Sequence, residues 1–175
     1  MQTIELNTPL IEKSISGLKA GDKVLLSGPI FVARDQAHIR LIDMIKKELE
    51  LPVDLKNQVV YYAGPSPTKP GEVIGSIGPT TSARMDTISE PLFKQGLKIT
   101  IGKGVRSDAF KELVKKYKAP YLAAMGGGGA VMQESVVESE LIAFEDLGPE
   151  AIYRLTVKNM PLYVAYDIFG GDIYN

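Results

Sequence analysis

LKITIGKGVRSDAFKELVKKYKAPYLAAM, residues 97–125, is the stretch that decides the fold. Residues 97–101 alternate like a strand, Gly102-Lys103-Gly104 turns the chain, and residues 108–118 put Phe110, Leu113, Val114 and Tyr117 on one helical face. Residues 120–125 are short and apolar again. The stretch therefore predicts strand, helix and strand, with the strands parallel and joined by a right-handed crossover.

Working outward, residues 23–27 (KVLLS) and 29–33 (PIFVA) read as two strands separated by a turn at Gly28-Pro29. A helix capped by Asp35 follows, with His38, Ile42, Ile45 and Leu49 along one face and Pro52 as its stop. Residues 58–63 (QVVYYA) predict a buried strand, residues 64–71 a Pro- and Gly-punctuated loop, and residues 73–77 a short strand. A helix starting near Ser82 breaks at residues 89–91 and ends at Gly96. Beyond the four glycines at 126–129, residues 136–144, 151–157 and 162–168 read as strands, with turns at Gly148-Pro149 and residues 159–161. The fold class is α/β, a mixed-sheet single domain over residues 1–175 with more strands than helices.

Composition narrows the chemistry. The 175 residues contain no cysteine and one histidine, so the chain cannot ligate an iron–sulfur cluster by thiolates, use a thiol nucleophile, or build a multi-histidine metal cage. Any metal chemistry rests on carboxylates or on another chain. A formal net charge of -1 gives no reason to expect nucleic acid or an anionic membrane as partner. Residues 94–118 nevertheless hold eight basic against two acidic side chains, either an anion-facing region or a solvated helix face. The polar amino terminus carries Glu5 and no apolar core, so it predicts no targeting segment. The longest charge-free run, residues 119–133, is too short to span a bilayer. The expected location is cytoplasmic.

The glycine-rich sites do not complete a phosphate motif. In Gly102-Lys103-Gly104-Val105-Arg106-Ser107, Ser107 stands where G-x-G-x-x-G needs its third glycine, and Val131 does the same after Gly126. Basic side chains at strand-to-helix turns fit small carboxylates better. Arg34 follows an apolar strand, Thr80 and Arg84 flank a helix start, and Lys103 follows a third strand. Two guanidinium forks and an ammonium can grip both ends of a short dicarboxylate, and the Thr80 hydroxyl can hydrogen-bond substrate or move a proton. The alternative is that Arg34 and Arg84 pair with surface carboxylates and that residues 80–82 only cap a helix. His38 is either a general acid–base group or a core histidine on the apolar stripe.

Four motifs together, Ala33-Arg34-Asp35-Gln36-Ala37-His38, Gly78-Pro79-Thr80-Thr81-Ser82-Ala83-Arg84-Met85-Asp86, Ile101-Gly102-Lys103-Gly104 and Gly148-Pro149-Glu150-Ala151-Ile152, resemble the β subunit, or carboxy-terminal domain, of class I iron–sulfur fumarases and L-tartrate dehydratases. The resemblance runs in order along essentially the whole chain. It implies a swivelling-type domain with β/β/α layers, acting in a reversible hydro-lyase that interconverts fumarate and (S)-malate. It also implies a [4Fe-4S] cluster on a cysteine-containing α subunit and a hetero-oligomer, with no nucleic acid or membrane partner. Carried over by motif, Arg34, Thr80, Arg84 and Lys103 bind substrate and Thr80 is a candidate base; His38, from its ordinary near-neutral pKa, is the other catalytic candidate. L(+)-tartrate dehydratase is the alternative within the class, and a non-catalytic dicarboxylate-binding module the alternative outside it. The run at 126–129 departs from the family's more usual two glycines.

Overall fold

The computed structural model describes residues 1–124 and 128–175. In chain order it has β1 (Thr3–Asn7), α1 (Glu12–Ile15), β2 (Lys23–Val32), α2 (Asp35–Lys46), β3 (Val59–Tyr61), a 3₁₀ segment (Ala83–Ile88), α3 (Glu90–Lys94) and β4 (Ile99–Gly102). There follow α4 (Asp108–Tyr117), β5 (Tyr121–Ala123), α5 (Gly129–Glu134), β6 (Val136–Ala143), a second 3₁₀ segment (Glu145–Glu150) and β7 (Ile152–Tyr166). The strands form one sheet in the order β1-β2-β3-β4-β5-β7-β6. An additional β2–β7 pairing closes β2, β3, β4, β5 and β7 into a five-stranded barrel.

The predicted strand-helix-strand unit is present as β4, α4 and β5, and β4 pairs with β5 in parallel. The β1–β2, β2–β3 and β3–β4 pairs are parallel as well. The carboxyl ends of β2, β3 and β4 therefore share one rim. β7 runs antiparallel to β2 and β5, and β6 antiparallel to β7.

Strand alternation divides the core in two. Val59 and Tyr61 of β3 join Leu26, Val32, Ile99, Ile101, Leu155 and Leu162 in one buried cluster. Val60 and Tyr62 face the other way, into a cluster built with Ala37, Leu41, Phe93, Phe110 and Val114 of the helices. Each face of β3 is thus buried, which explains why QVVYYA lacks polar alternation.

Several expectations need correction. The two strands predicted either side of Gly28-Pro29 are one ten-residue strand. Gly28, at φ +109°, sits where the register with β7 shifts, so it marks a bulge rather than a turn. The last two predicted strands are likewise the single fifteen-residue β7, with Asn159 at φ +49° inside it. Asp35 does not cap α2: Arg34 occupies the N-cap with no side-chain capping bond, and the buried residues of the helix are Ala37, His38 and Leu41. Leu49 lies beyond the helix and is exposed. Residues 73–77 form no strand; a Cβ at Gly75 would collide with the backbone of Ser66 and Pro67, and Ser66 N–H donates to the Ser76 carbonyl at 2.9 Å. Of the run at 126–129, Gly126 and Gly127 lie outside the described residues, as does Met125; Gly128 and Gly129 open α5. Among the described residues no helix is long and apolar enough to cross a membrane.

Candidate functional site

The long connection between β3 and β4 folds back over the rim. Pro79 bridges Ala63 just after β3, and Thr81 bridges Lys103 just after β4. Thr80 N–H donates to the Tyr62 carbonyl at 2.8 Å, and Ser82 N–H donates to the Lys103 carbonyl at 3.2 Å. Ser82 is fully buried: its Oγ accepts from Lys103 N–H at 3.0 Å and donates to the Thr80 carbonyl at 3.3 Å. A Cβ at Gly102 would collide with that hydroxyl, so the close approach requires glycine. Residues 80–82 are therefore held on the end of β4 and are more than a helix cap.

From this ledge the short 3₁₀ segment projects Arg84. Its Nη2 donates to Thr80 Oγ1 at 2.7 Å and its Nε lies 3.0 Å from Asp35 Oδ2. Asp35 opens α2, directly after Arg34 at the end of β2. Arg34 runs beside Gly64, where a Cβ would lie 3.2 Å from Arg34 Nη1 and 3.0 Å from the Pro149 carbonyl. The structure thus brings Arg34, Thr80, Arg84 and Lys103 to one rim, where Asp35 pairs with Arg84. Arg34 Nε and Asp35 Oδ1 are buried without a hydrogen-bond partner among the described residues. Unpartnered buried polar groups are uncommon and mark this edge as incomplete.

His38 is brought to Arg34 but not to the open face. Its ring is fully buried, Nδ1 lies 2.7 Å from the Arg34 carbonyl, and the ring meets Tyr62 edge-on at 5.5 Å. That carbonyl also accepts the His38 backbone N–H at 3.0 Å. Burial, reinforced by the charge of Arg106 and opposed by the Arg34 carbonyl and Asp35, lowers the ring's pKa to about 4. The geometry fits the core-histidine alternative: the ring is enclosed, Nδ1 lies at the Arg34 carbonyl, and Nε2 is buried without a partner among the described residues.

The basic stretch 94–118 divides between rim and surface. Lys111 pairs with Asp172, Lys115 with Glu112 and Lys116 with Glu90, whereas Lys103 stands at the rim. Sequence reasoning missed the Asp35–Arg84 pair and a buried Asp86–Arg106 pair. Both acids stood inside the quoted motifs, but only folding reveals their partners. No Cys occurs in the chain, and among the described residues no three His, Cys, Asp or Glu side chains form a metal-holding group. The chain's own residues do not fit as ligands of an iron–sulfur cluster.

A family model described as the fumarase C-terminus matches residues 1–175. A Methanocaldococcus jannaschii protein, provisionally named an L(+)-tartrate dehydratase subunit beta, is 41% identical over 171 residues, 94% of this chain and 88% of that protein. The Escherichia coli L(+)-tartrate dehydratase subunit beta is 31% identical, covering 96% of this chain and 85% of its own length. The anaerobic class I fumarate hydratase of Escherichia coli is 36% identical over 98% of this chain, which spans only 32% of that enzyme. With the rim motifs in place and the family model matched from end to end, the chain belongs to the fumarase C-terminus family.

Proposed function

We propose that the chain is the β subunit of a heteromeric hydro-lyase that interconverts fumarate and (S)-malate, in which its rim grips the substrate carboxylates. The observation that carries this reading is the convergence of Arg34, Thr80, Arg84 and Lys103 on the shared carboxyl ends of β2, β3 and β4. Open α/β sheets bind ligands at such ends, and guanidinium forks match carboxylates in pairs of hydrogen bonds. Arg84 donates to Thr80 Oγ1, so the hydroxyl proton is directed away from the guanidinium and the cation favours loss of that proton. Thr80 is accordingly the proton-moving group, Arg34, Arg84 and Lys103 bind the carboxylates, and His38 acts through Arg34.

The [4Fe-4S] cluster belongs to a cysteine-containing α subunit. We read the barrel, with α2, α3 and α4 packed against one buried cluster, as a swivelling-type β/β/α domain, one functional unit over residues 1–175, that closes on this partner in the cytoplasm and excludes water. L(+)-tartrate is the second reading, supported by two β subunits of matching length. Fumarate stands first on the Gly148-Pro149-Glu150-Ala151-Ile152 motif; identity does not rank the two, since a relative named as a tartrate dehydratase subunit matches at 41% and a fumarate hydratase at 36%.

Anaerobic co-expression with a cysteine-containing α subunit, followed by fumarate hydration and tartrate dehydration assays, tests the proposal. A cluster-bearing complex that hydrates fumarate is expected. Turnover of tartrate alone selects the second reading, and a cluster-loaded complex inactive on both acids leaves a non-catalytic dicarboxylate-binding module.

A further inference from the structure

Behind the rim lies a charged pair that the proposed chemistry does not use. Asp86 shares the 3₁₀ segment with Arg84, while Arg106 and Ser107 share the β4–α4 loop with Lys103. Asp86 Oδ1 accepts from Arg106 Nε, and Oδ2 accepts from Ser107 N–H at 2.7 Å. The side chains are 0% and 9% exposed for Arg106 and Asp86. The guanidinium carbon lies 3.4 Å from the Phe110 ring centroid and 4.8 Å from that of Tyr121. Arg106 N–H donates to the Tyr166 hydroxyl at 2.8 Å, whereas Nη1 and Nη2 have no partner among the described residues.

A buried ion pair is an expensive way to join two loops, because apolar side chains of similar volume hold a fold equally well or better. These loops are already tied by the Ser82 and Lys103 backbones. What the pair adds is orientation. Both carboxylate oxygens are used, so the carboxylate plane is fixed and with it the rotation of a short segment whose outward side chain is Arg84.

We propose that Asp86 and Arg106 are a positioning pair, which sets the direction of Arg84 relative to Lys103 so that both meet one dicarboxylate. This rests on reading the rim as a dicarboxylate site. Without the pair the ledge stays attached to β4, but Arg84 swings.

Asp86→Asn, made in the full chain and in the assembled complex, gives opposite signs for the two possible roles. Electrostatics alone predicts tighter anion binding when a nearby negative charge is removed; loss of positioning predicts weaker binding. The expected result is a malate KM raised at least tenfold, with a loss of order at the Arg84 Nε–H in ¹⁵N relaxation of the substrate-free chain. A folded Asp86→Asn protein with unchanged Arg84 order, or with unchanged or lower KM, overturns the proposal. Should Asp86→Asn not fold, the apolar double variant Asp86→Leu/Arg106→Met replaces it with the same expectations and the same overturning results. The relaxation measurement needs no substrate, so an assembled wild type that turns over neither acid refutes the hydro-lyase reading separately from the pair.

Discussion

Thr80 and Arg84 are joined by a single 2.7 Å hydrogen bond, and the proposed chemistry turns on it. Thr80→Ala removes the hydroxyl and is expected to lower kcat by about 10²- to 10⁴-fold, the usual span for a proton-transferring side chain. Thr80→Ser keeps the hydroxyl and is expected to retain most turnover; equal losses in the two variants would instead assign Thr80 to packing. His38 carries a pH prediction. Its folded pKa of about 4 lies below the ordinary 6.5, so its contribution to stability is complete above about pH 6.5 and is lost as pH falls towards 4. The loss amounts to about 3 kcal/mol at most. Urea unfolding between pH 7 and 4.5 should show this decline in the wild type and a shallower one in His38→Gln. The placement of Arg34, Thr80, Arg84 and Lys103 at one rim was legible because strand ends and helix starts are local features. Asp35 and Arg106 were not, because each pairs with a residue distant in sequence. The burial of His38 was half legible: its place on the apolar stripe was visible, but not the tightness of the cover from Tyr62.

β7 shows at the level of elements what a sequence pattern conceals. Leu155 and Val157 enter one core cluster on odd numbers, while Met160, Leu162 and Val164 enter the same cluster on even ones. Such a change of phase reads as two strands with a turn between them. In the structure one extra residue is absorbed without breaking the strand, with Asn159 left-handed and its N–H donating to Ser27 Oγ at 2.9 Å. A β-branched residue tolerates that conformation poorly. Asn159→Val is expected to cost about 1–2 kcal/mol in urea unfolding, and Asn159→Gly to be nearly neutral. Failure of Asn159→Val to destabilise would mean that the bulge relaxes. β1 and α5 escaped the sequence reading because TIELN mixes polar and apolar residues and because four glycines argue against a helix start.

As a whole molecule the chain is a closed barrel whose parallel strand ends gather Arg34, Thr80, Arg84 and Lys103, the proposed half-site. Closure follows from the length of β7, which spans β2 on one side and reaches both β5 and β6 on the other. No sequence pattern announced that closure, since it depends on which distant strands pair. Absence of cysteine was visible from the start, and under the proposed function the cluster is the partner's, not this chain's. Purified alone, the chain should therefore bind no iron–sulfur cluster under anaerobic reconstitution and show no hydratase activity, both appearing when an α subunit is supplied. The measurement that tests the account most directly is kcat/KM for malate of the assembled complex carrying Arg84→Ala. Loss of a charge-assisted grip in a closed site, about 2–4 kcal/mol, predicts a fall of roughly 30- to 1,000-fold; an unchanged kcat/KM would contradict the assignment of this rim as the substrate-gripping half of the enzyme.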